Sequence, residues 1–546
     1  FNCFIYIHSL ESCDSIYKLS TNWETASYLN DSYQLRWKID NKLSTISIFM
    51  NVNSINETSW VGFGISEAGH MLGSDIVSVS YINEEFTVDD RYVPWVGYPF
   101  TTSPSLYPEL DTQNDWSLIC ADKSSNSFRA LVVRALDTND NQDRVITTGY
   151  MPVVYAYGNS NTDSVSYHQT MRGTSSILFI GEITTFPPID TDEKLTFIYD
   201  TPFTTTGLDT NYICQSFDLG TETRHVVAIE AYLNSPVASY AHHLIVHSCG
   251  NVFDDTLVEF HWGKAMPCQS DDNTVEGDTP LGTGLCDSII GVWALGSGPI
   301  TLPDSAGFLI GESSTRYIVL EYHINNPDMD ADVELVDLGV NIYTTSTLRE
   351  YNTGAIILGD GMITFDSPIP LGEDSVHYES TCVTGCTSSI LLDPVYIYAS
   401  LLHMHSYGKE MWTNIQRFEN NIVQPIDYDN IEYIDKRQFW NNGYQIVTSL
   451  NITLNPGDQL NTHCTYDTSK RSDDLLFGLS SYNEMCLHFL FIYPISNVIK
   501  KFANVTVFCG YDNGRSLCGP TGQYIYLKDN HNPIPDGLTS LPDSDI

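Results

Sequence analysis

Basic residues are scarce in this chain: 25 Lys and Arg stand against 68 Asp and Glu, a formal net charge of −43 over 546 residues. So acidic a surface repels phosphate, which argues against nucleic acid or an anionic membrane as partner and leaves cations and small molecules. Long apolar runs are missing too, and nothing approaches the about 18 residues of a helical membrane span. The start, Phe1-Asn2-Cys3-Phe4-Ile5-Tyr6-Ile7, is apolar but has neither the basic residues nor the length of a signal peptide, so the chain reads as mature. A serine-hydrolase elbow (G-x-S-x-G), a phosphate loop (G-x-x-x-x-G-K-S/T) and a short solenoid repeat are all absent. Helical periodicity is the last absence, since no long stretch holds a 3.6-residue period.

Alternation of period two is what the sequence has. Tyr33, Leu35, Trp37 and Ile39 alternate with Gln34, Arg36, Lys38 and Asp40, and Ile46, Ile48, Met50 and Val52 repeat the pattern. With turn residues between such runs, the chain reads as all-β antiparallel sandwiches. At about 150 residues per domain the length suggests three or four domains. We read residues 1–25 as a cysteine-bearing N-terminal segment, 26–183 as a first sandwich and 184–199 as a Pro-rich linker. Residues 200–350 and 351–510 read as two further sandwiches and 511–546 as an extended C-terminal arm.

Thirteen cysteines spread along the chain, with sequons at Asn30, Asn56, Asn451 and Asn504, point to a disulfide-permissive, secreted or lumenal setting.

The histidines carry the chemistry. In Leu402-His403-Met404-His405, alternate residues of a strand face one way, so both imidazoles can chelate one ion while Met404 points away. His323 shares a face with Val319 and Glu321, and Met485 follows further on. Adjacent His242 and His243 cannot both face one ion from a regular strand; they require a strand end or a twist. Imidazole suits copper, zinc, iron and nickel, and a thioether beside it favours Cu(I). Singly, each element reads as an ordinary core residue. His225, His247, His377, His463 and His488 are given structural roles.

Two resemblances follow from the residues in order. Trp60-Val61-Gly62-Phe63-Gly64, Gly73-Ser74-Asp75 and Asp90-Arg91-Tyr92 resemble the DOMON domain over about residues 26–183. The run from Tyr212-Ile213-Cys214 through His242-His243, Glu321-Tyr322-His323, His403-Met404-His405 and Glu484-Met485-Cys486 resembles the copper type II, ascorbate-dependent monooxygenases over about residues 200–510. That family includes dopamine β-hydroxylase and peptidylglycine α-hydroxylating monooxygenase, and the DOMON-like domain places the chain nearer the former.

The resemblance implies two jelly-roll-type copper domains and two copper ions. His242, His243 and His323 would hold the ion that passes electrons; His403, His405 and Met485 would form the catalytic ion's site, where oxygen and substrate react. Ascorbate would supply electrons. In the DOMON-like domain, Asp75, Arg91 (through its backbone) and Asp115 match a site suited to a hard cation such as calcium. Implied disulfides are Cys214–Cys268, Cys249–Cys286 and Cys464–Cys486, with Cys382 and Cys386 tied to Cys509 and Cys518 in an order left open. Cys3, Cys13 and Cys120 are left unpaired by this reading. Leu401 and Phe489 replace the arginine and tyrosine that hold a peptide carboxylate in the peptidylglycine enzymes. Tyr212 and Glu321 are the candidate substrate-binding residues, the latter for a cationic amine, so that a small amine or phenol-like substrate is expected. The rival reading is a non-catalytic extracellular structural protein that keeps the scaffold for assembly; under either reading the chain's partners include a homo-oligomer or an extracellular assembly. Copper storage or transport is a third.

Overall fold

The computed structural model describes residues 27–28, 32–53, 58–69, 71–94, 107–146, 150–159, 165–169, 171–180, 188–208, 210–233, 240–249, 263–269, 286, 288–294, 297–312, 314–326, 329–360, 369–427, 431–442, 444–472, 475–476, 478, 483–498, 506–512, 515–520 and 525–526; every structural statement below concerns these residues. The chain is all-β, with a single short α-helix, Thr384–Ile390, among the described residues. It divides into two compact units, the first holding the described residues up to 180 and the second those from 188 on.

Period-two alternation builds the first unit. Tyr33, Leu35 and Trp37 are buried while Lys38 is exposed, and Ile46, Ile48, Met50 and Val52 of the paired strand are fully buried opposite them. A five-stranded sheet runs in the order Ser27–Tyr28, Tyr33–Asp40, Thr45–Asn53, Ser127–Ala135, Ser117–Lys123. A six-stranded sheet, from Arg172–Leu178 through Tyr150–Gly158, Trp60–Ser66, Ser74–Ile82 and Glu85–Tyr92 to Glu109–Leu110, closes over it. Phe63, Val77, Phe128 and Tyr155 lie in the core between them. A cavity of about 880 Å³ in this unit is lined by Met71, Arg91 and His168 among others, and by none of the candidate copper ligands.

The second unit holds two sandwiches. In the first, the sheet Met266–Gln269, Thr210–Asp218, Tyr317–Asn325, Ala241–Cys249, Ser288–Ala294 packs on a sheet whose centre is Arg224–Leu233 beside Leu338–Thr345. In the second, a seven-stranded sheet centred on Val395–His403, Cys486–Tyr493 and Gly354–Asp360 faces the four strands Val376–Cys382, Gln459–Tyr466, Gly408–Gln416 and Tyr433–Arg437. An apolar cluster joins the two sandwiches: Ile289, Val292 and Leu302 of the first pack with Ile357, Leu401 and Phe489 of the second. That shared core holds their histidine-bearing edges in register.

Two boundaries differ from the sequence reading. The segment taken as a linker ends in a strand, Glu193–Ile198, paired to Leu338–Thr345, because its Leu195 and Phe197 pack on the core. The segment taken as an extended arm begins with Arg515–Pro520 and Ile525–Tyr526, which add to the seven-stranded sheet; the Cys386–Cys518 bridge fastens the first of them. Residues 527–546 lie outside the described set, as do Cys3, Cys13, Asn30, Asn56 and Asn504.

Candidate metal centre

Adjacent histidines share one centre here through a change of register. Opposite Tyr317–Asn325, Ala241 pairs with Ile324 but His243 pairs with His323, so the register shifts at His242. Such a bulge re-aims one side chain, and both imidazoles reach the same point. Nδ1 of His242 lies 3.2 Å from Nδ1 of His243 and 3.2 Å from Nδ1 of His323. All three rings are buried, and burial, helped at His243 and His323 by the neighbouring imidazoles, pushes their pKa values down. They are therefore neutral, with lone pairs for a metal. Nε2 of His242 donates to the Asn442 carbonyl at 2.7 Å, which leaves the lone pair on its Nδ1.

The second set lies on the other sandwich. His403 ends its strand and His405 follows two residues on, their rings 5.0 Å apart and nearly perpendicular, while Met404 packs into the core. Nδ1 of His403 donates to Oε1 of Gln445 at 2.7 Å, and Nδ1 of His405 to the Asn483 carbonyl at 3.2 Å. Both rings thus carry their lone pairs on Nε2. Burial lowers the His403 pKa to about 4. Met485 is buried, and its carbonyl accepts from the Tyr466 hydroxyl at 2.7 Å. Glu484 ties this set together: Oε2 accepts from the backbone N–H of His405 at 2.9 Å and of Met485 at 3.3 Å, and Oε1 from that of Tyr407 at 2.7 Å.

The two sets meet. The His243 and His403 rings are 5.6 Å apart and perpendicular. Gln445, bonded to His403, also donates from Nε2 to the Asn442 carbonyl at 3.1 Å, the group that receives His242. One short polar segment therefore orients a histidine of each set. Sequence reading missed Asn442, Gln445, Asn483 and Glu484; only Glu484, adjacent to Met485, offered a cue.

The expected substrate residues have partners of their own. Tyr212 stacks flat on His323, with ring centroids 4.5 Å apart and planes 12° off parallel. Glu321 is 3% exposed, and its Oε2 lies 2.9 Å from Nε2 of His247. A histidine thus occupies the carboxylate expected to meet an amine. Leu401 and Phe489 are buried in the apolar cluster between the sandwiches, which leaves no carboxylate clamp at those positions.

The bonds Cys214–Cys268, Cys249–Cys286, Cys382–Cys509, Cys386–Cys518 and Cys464–Cys486 are present, the third and fourth resolving the order left open. Cys120 is also disulfide-bonded. Asn451 is exposed.

The calcium-like site expected of Asp75, Arg91 and Asp115 is not supported. Asp75 is committed to Nη1 of Arg134 at 2.7 Å and the backbone N–H of Arg144 at 2.9 Å. Both carboxylate oxygens of Asp115 accept from the amide of Gln113. The groups gathered around Asp75 are instead Asp90 and Asp143, with Arg134 also 3.1 Å from Asp143. An arginine that stays protonated already supplies the counter-charge a hard cation would bring.

The histidine sets fit copper. Three neutral imidazole nitrogens gathered at one point and an H-x-H pair nearby, with Met485 buried just before the strand that pairs with His403, offer borderline and soft donors.

Known proteins agree with that donor chemistry. The chain matches a DOMON domain at residues 29–158, and the N-terminal and C-terminal domains of copper type II ascorbate-dependent monooxygenase at residues 199–331 and 351–507. It is 27% identical over 468 residues to mouse (Mus musculus) DBH-like monooxygenase protein 1, covering 82% of this chain and 70% of that protein. Tyramine beta-hydroxylase of Caenorhabditis briggsae is 24% identical over 531 residues, covering 94% and 83%. Dopamine beta-hydroxylase of Equus caballus is 24% identical over 471 residues, covering 84% and 72%.

Proposed function

We propose, from the premise that this chain belongs to the copper type II, ascorbate-dependent monooxygenase family, that it hydroxylates a C–H bond of a small amine or phenol-like substrate, with ascorbate as electron donor. His242, His243 and His323 hold one copper; His403, His405 and Met485 hold the other. The observation that carries the reading is the convergence of three histidine Nδ1 atoms within 3.2 Å contacts, next to an H-x-H pair whose own Nδ1 atoms are both engaged.

Copper, when bound, supplies one-electron redox chemistry and activation of O₂. The chain's residues do the rest. Neutral, buried rings present lone pairs; Asn442, Gln445 and Asn483 hold the ring protons away from the metal; Tyr212 keeps His323 in plane; Glu484 anchors the backbone on both sides of the second site. In balance, substrate C–H, O₂, two electrons from ascorbate and two protons give C–OH and water. An amine or phenol-like substrate is favoured by the relatives named for tyramine and dopamine, and by Leu401 and Phe489 at the clamp positions. A secreted, cell-surface or vesicular location, with a glycan on exposed Asn451, is the setting that the disulfides and sequons support. Among the described residues no helix is long and apolar enough to cross a membrane.

The test is oxygen uptake by the copper-loaded chain with ascorbate and a panel of phenylalkylamines and phenols. Hydroxylated product formed one-for-one with O₂ is expected. Oxygen uptake with no hydroxylated product from any member would overturn the reading.

A further inference from the structure

A separate cluster of metal-binding side chains lies on the four-stranded sheet of the second sandwich. Val376–Cys382 pairs antiparallel with Gln459–Tyr466, placing Glu379 directly opposite His463 and His377 diagonal to it, all on one face. Nε2 of His377 is 3.2 Å from Nδ1 of His463, and one ligand atom of each of His377, His463 and Glu379 falls within 4.8 Å of the others.

The outer nitrogens of both rings are held. Nε2 of His463 lies 3.0 Å from Oδ1 of Asn414, an acceptor, so that nitrogen carries the proton and Nδ1 the lone pair. Nδ1 of His377 lies 3.2 Å from the Thr465 hydroxyl, which accepts as readily as it donates. Trp412 stacks on His463 at 4.6 Å with planes 10° apart and fixes the ring's orientation. Two imidazoles thus point ligand atoms at one another beside a carboxylate, each braced from behind, as a metal site requires. His463 is fully buried, whereas His377 and Glu379 are half-buried, which gives an ion a way in.

We propose that His377, Glu379 and His463 form a third metal site, for a divalent ion of the zinc class, that clasps these two strands. Two nitrogens and one carboxylate oxygen are ligands that Zn²⁺ takes at about 2.0–2.2 Å, with water or another oxygen as the fourth. The three ligands are two imidazoles and a carboxylate, with no thioether among them to favour Cu(I), which sets the set apart from His403, His405 and Met485. In the metal-free chain Nε2–H of His377 donates to Nδ1 of His463; on binding, His377 takes its other tautomer, so its one ring proton sits on Nδ1 and is donated to the Thr465 hydroxyl while Nε2 turns its lone pair to the ion, with no net proton released. The site is independent of the copper reading.

The test uses the full chain with copper present at saturation, so that zinc is not counted at the copper sites. Elemental analysis after dialysis against zinc is expected to find one zinc per chain. His377→Gln and Glu379→Gln, chosen because these residues are only half-buried, each weaken zinc retention at least about tenfold and leave copper content unchanged. Wild-type chain that retains no zinc, or a His377→Gln/Glu379→Gln double variant that retains as much as wild type, would overturn the proposal.

Discussion

Gln445 is the residue on which both histidine sets depend: its Oε1 receives Nδ1–H of His403, and its Nε2 helps hold the Asn442 carbonyl that receives His242. Replacing it with leucine keeps volume and removes both bonds, which frees His403 to flip tautomer. Such supports typically contribute 10–100-fold in metal affinity or activity. Gln445→Leu is therefore expected to lower copper affinity and the hydroxylation rate by about that range, the affinity measured by competition with a copper chelator. Nothing in the sequence around Asn442-Gly443-Tyr444-Gln445 marked this role. A loop residue's partners come from distant strands, here 42 positions away for His403 and 200 for His242.

Strands were legible wherever one face meets a core and the other meets water, as in Tyr33–Asp40. They were less legible where both faces are buried. Tyr317–Asn325 is buried over eight consecutive residues, and there only the spacing Glu321–His323 indicated a face. The His242-His243 pair was readable in an unusual way: two ligands that a regular strand cannot aim together demanded a break, and the bulge lies between Ala241 and His243. The edge strand Glu193–Ile198 was obscured by the prolines before it and by its own charges, Glu193 and Lys194. Its pairing depends on a partner more than 140 residues downstream. His377 and His463 read as ordinary core histidines because their pairing across strands, unlike an H-x-H spacing, leaves no mark in either segment.

At the scale of the molecule, an acidic chain has to bury some of its carboxylates, and the first unit shows the consequence. Asp90 is pushed up to about 8 and Asp143 to about 7, first by burial and then by the neighbouring Asp75. The folded unit holds protons that the unfolded chain releases near the ordinary aspartate value, so this contribution is fully present below about pH 4 and is lost as pH rises through 7 and 8. Calorimetry of the full chain is expected to show the first unit melting higher at pH 5.5 than at pH 8, with a smaller difference in Asp90→Asn; stability rising with pH over that range contradicts the assignment. The second unit carries the central claim. Two apolar-joined sandwiches bring His243 and His403 within 5.6 Å between ring centroids, and the sets they belong to are assigned one copper each. Copper counted by mass spectrometry of the reconstituted full chain tests this most directly: two ions per chain are predicted, falling to one in His243→Ala/His323→Ala and to one in His403→Ala/His405→Ala, whereas fewer than one per chain in the wild type, or two retained in either variant, would contradict it.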